Sequence, residues 1–514
     1  MPSKTKLSFI TGVGTVTGAN FLLETEAGID DNSTTNKSGT KILIDCGMVQ
    51  GERVAEEQNR EAFPYDTGSV NALIVTHAHL DHVGRIPKLV KDGFKGTIYS
   101  TPETRALAEL VLNDAVNIIA GEAKDDGLMP IYNAEDVAKV FPLWKTIPYH
   151  ETLKISDDIS IYLKDAGHIL GSSMIEVTVK TSEDIASDAR DFPAGKSLFA
   201  AASRGRGASF SMPAPVFTKI LFTGDLGNSP APLLRDTEPV GDVDYLVMES
   251  VYGDRNHEPR EERLPQFEKV IKDTLARGGT LVIPAFSVDR SQILLYELNN
   301  LVRDKRIPSV PVYFDSPLAE KVTAIYKESK ELFNDAAKAQ IDSGDDIFSF
   351  PHLEFVETGE QSRGIEKFKG AKIILAGSGM SVGGRVISHE AHFLPDPKST
   401  ILLVGYQAAG SLGRELADGA KKVRIHGEQV KVNAKIETLY GYSAHKDGDH
   451  LVEFVATAGN GLTGNNGGDS NKPRLKEVFV VMGEPGASMH LAQRINDELG
   501  VKAIVPERLK PYSL

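Results

Sequence analysis

Four side chains able to bind a divalent cation, His77, His79, Asp81 and His82, fall within six consecutive positions. Imidazole nitrogen and carboxylate oxygen suit Zn²⁺, Mn²⁺ or iron. So dense a group is not what scattered surface histidines produce. Similar residues close other apolar runs. His168 ends Asp165-Ala166-Gly167-His168, and Asp225 ends Phe222-Thr223-Gly224-Asp225. Singly, each is an ordinary turn or capping residue. Together they complete two cation sites: His77, His79 and His168 for the first, Asp81 and His82 for the second, with Asp225 bridging. Asp45, at the end of Ile42-Leu43-Ile44, reads as the group that orients a ligand or a water. Two adjacent cations lower the pKa of a water and neutralise charge developing on an attacked phosphoryl group. The chemistry expected is therefore hydrolysis. The sequence offers no Ser-His-Asp or Cys-His arrangement and no Walker-type phosphate loop.

Convergence of this kind needs rigid supports. Ala72-Leu73-Ile74-Val75 reads as a buried strand that runs straight into Thr76 and His77. Residues 21–24 and 41–44 read as a hairpin pair around an exposed loop at 28–39. Further strands are expected at 96–100, 159–164, 174–180, 219–223 and 245–248. Thr101 is the expected N-cap of a helix opened by Pro102. Residues 182–215, rich in Ala, Ser, Gly and Arg, read as a surface insertion. From about Arg260, short apolar strands at 280–283, 310–314, 372–376 and 401–404 alternate with helical runs. That pattern predicts a parallel sheet covered by helices. Strand-rich text returns after Val423 and ends with a strand at 478–482 and a last helix, preceded by a Gly/Asn-rich loop at 459–473.

A chain of 514 residues predicts two or three domains. With 41% hydrophobic and 25% charged residues it is neither disordered nor fibrous. The net charge of −14 argues against a protein that coats nucleic acid, but leaves room for a nuclease with a local positive groove. No apolar run reaches the ~18 residues of a membrane span, and the start reads as a strand, not a signal peptide. The single cysteine, Cys46, excludes an internal disulfide framework and predicts a cytoplasmic setting.

Residues 76–82, 165–168 and 223–225 resemble the motifs of metallo-β-lactamase-fold hydrolases. The rest of the chain resembles the β-CASP branch, the RNA-processing nucleases that include ribonuclease J and the pre-mRNA 3′-end cleavage nuclease. The matching residues are Met248-Glu249-Ser250-Val251-Tyr252-Gly253, Pro284-Ala285-Phe286-Ser287-Val288-Asp289-Arg290 and Asp315-Ser316-Pro317-Leu318-Ala319. With them go Ser378-Gly379-Met380, Gly383-Gly384-Arg385, Gly405-Tyr406-Gln407, Gly410-Ser411-Leu412-Gly413-Arg414 and Ser443-Ala444-His445. The resemblance implies an α/β protein: a four-layer αββα sandwich with an inserted α/β β-CASP cap. It implies residues 1–254 and 421–514 for the sandwich and 255–420 for the cap. It also implies that Glu249 and His445 approach each other beside the metals and act with Asp81 in catalysis. A carboxylate keeps such an imidazole protonated and able to serve as general acid.

One motif departs from the family. Where the family has His-Gly-Glu after a strand, completing the second metal site, this chain has Met482-Gly483-Glu484. A thioether is a poor ligand for a hard, oxygen-bridged cation, so the second metal is expected to bind more weakly. His426-Gly427-Glu428 mimics the missing motif but precedes His445, and reads as a surface turn. His490 lies on the following helix. In the cap, Ser378, Gly379 and Gly383-Gly384 can cradle a phosphate, and Arg290, Arg385 and Arg414 can pair with phosphodiester oxygens. The same glycines could serve tight turns, and the same arginines could make salt bridges.

The function expected is a metal-dependent ribonuclease with two divalent metals, Zn²⁺ or Mn²⁺. It would cut single-stranded RNA internally or from the 5′ end, in a cleft that admits a strand but not a duplex. Two rivals are an RNA-binding scaffold that lost catalysis with Met482, and a small ester or thioester metallo-hydrolase, which suits the negative charge but not the long cap. The sequence leaves a homodimer open.

Overall fold

The computed structural model describes residues 5–26, 39–50, 53–125, 127–181, 216–459 and 475–514. The stretches read as loops at 28–39, 182–215 and 459–473 lie, except for their residues 39 and 459, outside the described residues.

Two seven-stranded sheets form the sandwich. One runs from Pro511–Ser513 through Thr5–Thr11, Asn20–Thr25, Lys41–Ile44, Ala72–Ile74 and Thr97–Ser100 to Trp144–Thr146. The other runs from Ala503–Ile504 through Glu477–Val480, Tyr245–Met248, Val216–Phe222, Ser173–Thr181 and Ile159–Asp165 to Thr152–Lys154. In Ile159–Asp165 every second residue is buried, as period-2 geometry demands of a strand packed on one face. The inward residues of both sheets meet in one core that includes Leu7, Phe9, Ile44, Ile74, Val177, Phe222 and Phe479. Phe9 sits edge-on or tilted to Phe21, Phe479 and Tyr512, with ring centroids 5.3 to 5.7 Å apart. Each such pair contributes about 1 kcal/mol beyond its burial.

Helices cover both outer faces. Pro102–Asp125, opened by the predicted Thr101 cap (Oγ1 accepting from Thr104 N at 3.2 Å), packs outside the first sheet. Gly448–Gly459 and Pro485–Arg494 pack outside the second. The layers are thus helix, sheet, sheet, helix. No helix among the described residues is long and apolar enough to cross a membrane.

The cap has a six-stranded sheet: Leu353–Phe355, Val312–Asp315, Lys372–Ala376, Thr280–Pro284, Thr400–Val404 and Lys435–Leu439, all parallel. Its central strands are buried end to end, which is why they read as unbroken apolar runs. The last strand corrects the cap boundary drawn at residue 420. Lys435–Leu439 pairs with Thr400–Val404, and its partly buried residues hide the strand from a search for apolar runs. The hairpin Lys422–Ile425 and Glu428–Lys431 precedes it, with exposed His426 and Gly427 in left-handed conformation at its tip. His426 is therefore the surface turn that was expected.

Candidate metal centre and cleft

The candidate ligands arrive on loops at one rim of the sandwich. Ala72–Ile74 delivers His77 and the short helix Leu80–Val83, Ile159–Asp165 leads to His168, and Val216–Phe222 leads to Asp225. His77, His79, His168 and Asp225 form one group whose ligand atoms all lie within 4.8 Å of one another, and Asp81, His82 and Asp225 form a second. His79 Nδ1 lies 3.1 Å from His77 Nε2 and 3.3 Å from His168 Nε2. Asp225 Oδ2 is 3.5 Å from both Nε2 atoms, and its Oδ1 is 3.4 Å from His82 Nε2.

Hydrogen bonds behind the rings fix which nitrogens are bare. Asp45 Oδ2 lies 2.7 Å from His82 Nδ1 and accepts the Thr76 hydroxyl at 2.8 Å, while its Oδ1 accepts Thr76 N. Thr76 Oγ1 can then accept from His77 Nδ1, 3.0 Å away. His168 Nδ1 donates to the Ala444 carbonyl at 3.3 Å. Nε2 of His77 and His168 is thus left as a lone pair, and Nε2 of His82 becomes one when a cation displaces its proton. Asp45 thus contacts His82 and Thr76 and belongs to neither group of facing ligand atoms.

Electrostatics agree for His77, His79 and His168. At His82 burial also opposes the charged ring, but the Asp225, Asp45 and Asp81 carboxylates outweigh it and hold that imidazole well above the ordinary histidine range. Burial, together with neighbouring imidazoles, holds His77 and His168 well below the ordinary histidine range, and burial takes His79 down to about 3. Burial opposes ionisation of Asp225, but His82 and His77 outweigh it and hold the carboxyl well below its usual range. Asp81 is pushed up to about 6 by burial, against the pull of His82. Neutral imidazoles with facing lone pairs are costly to bury unless a cation lies among them. His82 Nε2 and Asp225 Oδ1 are buried without a hydrogen-bond partner. The donor set therefore fits divalent metal at both groups.

Glu249 and His445 meet beside them. Both carboxylate oxygens of Glu249 lie 3.1 to 3.2 Å from His445 Nδ1, and Oε1 also accepts Leu226 N at 2.6 Å. Burial works against a charged His445, but the Glu249 carboxylate prevails and raises the ring to about 9.

A cavity of about 240 Å³ lies between this rim and the cap. His79, Asp81, His168, Asp225 and His445 form its floor; Phe286, Val288, Leu318, Met380, Val404 and Tyr406 bring apolar surface from the cap. Arg290 and Ser378 line it too. Gly379, Arg385 and Arg414 do not. A Cβ on Gly379 would stand 2.5 Å from the Phe286 ring, so this glycine serves close packing. Arg385 donates to Asp315 and to the carbonyls of Val356 and Glu357, all within the cap. Arg414 is held by Asp418 on its own helix. Of the two readings the sequence left open for these residues, phosphate grip or cap packing and salt bridges, this structure displays the contacts of the second.

Met482 is buried in the sandwich core and does not line the cavity. A Cβ on Gly12 would meet its sulfur at 2.9 Å, which ties that glycine to this methionine. His490 is exposed. Glu484, next but one to Met482, accepts the Tyr406 hydroxyl at 2.5 Å and so joins the sandwich to the cap. Sequence reading missed that bond, and also His257, whose Nε2 reaches the His445 carbonyl.

Comparison with known proteins agrees with this geometry. Residues 36–187 match the model of a metallo-beta-lactamase superfamily domain and residues 291–416 that of the Beta-Casp domain. Ribonuclease TTHA0252 of Thermus thermophilus is 34% identical over 417 residues, 81% of this chain and 85% of that protein. The chain belongs to the β-CASP metallo-β-lactamase family. Transcription termination factors FttA of Pyrococcus horikoshii and Methanosarcina mazei, also similar to this β-CASP protein, are 32% and 31% identical over 87% and 90% of its length. The matches take in only 62% and 66% of those longer proteins.

Proposed function

We propose that this protein is a metal-dependent ribonuclease that hydrolyses phosphodiester bonds in single-stranded RNA. One observation carries the reading: bare imidazole nitrogens and Asp225 converge beside the Glu249–His445 pair, at the floor of a cleft roofed by the cap. The family's named ribonuclease relative supports RNA as the substrate.

His77, His79 and His168 would hold one cation, Asp81 and His82 the other, with Asp225 shared. Three imidazoles favour Zn²⁺ in the first position; the oxygen-richer second accepts Zn²⁺ or Mn²⁺. Bound there, the cations supply a hydroxide nucleophile and neutralise charge on phosphorus. His445, kept protonated by Glu249, gives its proton to the leaving ribose oxygen. Arg290 is buried, its Nε has no partner, and its nearest carboxylate oxygen, on Asp289, is 4.0 Å away. A phosphate in the cleft would compensate that charge. We place the protein in the cytoplasm, where a single reduced, buried cysteine is at home.

The test is incubation with 5′-monophosphorylated, 5′-triphosphorylated and circular RNA in the presence of zinc or manganese. Cleavage of the circle means internal cutting, and preference among linear ends means exonuclease action. RNA binding without cleavage of any substrate would replace the enzyme by a scaffold.

A further inference from the structure

We infer that His257 is a positioning residue for the proton donor His445. The inference rests on the general-acid reading of His445 given above. His257 lies where the chain leaves the sandwich for the cap, and it is half-buried. Its Nε2 is 2.9 Å from the carbonyl oxygen of His445. A carbonyl only accepts, so Nε2 carries the hydrogen. Burial holds the ring below the usual histidine range, and Nδ1 has no partner. The ring is therefore a neutral, fixed donor, with its tautomer set by this one bond.

The surroundings leave it little freedom. The ring stands edge-on to Tyr252 at 4.4 Å, and Tyr252 in turn lies 6.4 Å from the His445 ring. His257 N donates to Asp447 at 3.3 Å, and Gly448 N donates to the Arg255 carbonyl at 3.0 Å. The segment entering the cap and the segment that has just left it are thereby laced together. On the other side of His445, the Ala444 carbonyl accepts from His168 Nδ1 and from Asn228 N at 2.8 Å. The peptide groups flanking the general acid are thus tied to opposite anchors. Ala444 is tied to a metal ligand, and His445 itself to His257. The same peptide group is also held by Lys446 N, which donates to the Leu226 carbonyl at 3.0 Å. Loss of the His257 tie removes one of its two restraints, and misplacement of a reacting group by about 1 Å costs roughly a hundredfold in rate.

A leaving-group comparison tests this. RNA leaves as an alkoxide that needs a proton, whereas bis(p-nitrophenyl) phosphate releases an aryl oxide that does not. Wild type, His257→Leu, His257→Gln and His445→Ala are assayed on both substrates, and bound metal is measured by elemental analysis. His257→Leu should lower kcat on RNA about ten- to a hundredfold with KM little changed. Its rate on the aryl ester should stay within about threefold of wild type, with metal content unaltered. His257→Gln, whose amide can donate from the same place, should regain most of the RNA rate. Equal losses on both substrates, loss of metal, no loss at all, or failure of the glutamine to rescue would each overturn the inference. His445→Ala separates the two readings. If it too loses equally on both substrates, the general acid itself is misassigned; if it is selective for RNA while His257→Leu is not, only the role of His257 falls.

Discussion

On the sandwich side of the cleft, His77, His79, His82 and His168 turn their nitrogens to a common centre, whereas on the cap side Arg385 and Arg414 turn theirs to the cap's own carboxylates and carbonyls. The floor is polar and buried, with ring nitrogens crowded on one carboxylate; the roof is largely apolar, with Arg385 and Arg414 paired inside the cap and Arg290 Nε without a partner. In the proposed reading reactivity resides in the strand-end loops of the sandwich, and the cap supplies enclosure, one buried guanidinium and an apolar wall. A low-dielectric roof strengthens every charge interaction beneath it.

The sharpest way to break this contrast is at Asp225, the carboxylate shared by both ligand groups. Asp225→Ala should leave near-zero bound metal after dialysis and lower RNA cleavage by about 10⁴-fold or more. Full metal content would show that the floor does not hold the cations as argued. Next in size is His445→Ala, expected to cost about 10²- to 10⁴-fold on RNA with metal retained. The pH profile examines the same residue without removing it. A general acid works while protonated, so activity should fall as pH rises through its pKa, about 9 in this site. Removing the Glu249 carboxylate by Glu249→Gln should bring that alkaline limb down towards the ordinary histidine value; an unmoved limb would assign it to another group.

On the roof, Arg290→Met should weaken RNA binding about tenfold and flatten its salt dependence. Arg414→Met should change neither, because that side chain is already paired with Asp418. Equal effects of the two would erase the distinction drawn between them. The smallest effect is expected at Met482→His. An added imidazole should raise the metal retained per chain, and an unchanged ratio would mean that the second position is completed without it.

Much of the floor was legible because its residues advertise themselves locally. The strand at Lys372–Ala376 and the Thr101 cap were likewise readable, the first from an unbroken apolar run and the second from Thr-Pro at a helix start. What escaped was set by partners far apart in sequence. Arg385 bonds across 70 positions to Asp315, and His257 across 188 to His445. No spacing rule encodes such pairs. The strand Lys435–Leu439 escaped for another reason: a sheet-edge strand with partly exposed residues lacks the apolar signature of its neighbours.

The interleaving of sandwich and cap along the chain also has a consequence for synthesis. The strand Glu477–Val480, in the interior of the second sheet, and Pro511–Ser513, which pairs with Thr5–Thr11, are both made after the whole cap. During synthesis His77, His79, Asp81, His82, His168 and Asp225 therefore emerge a whole cap ahead of His445, and each sheet waits for a strand made after the cap before it is complete.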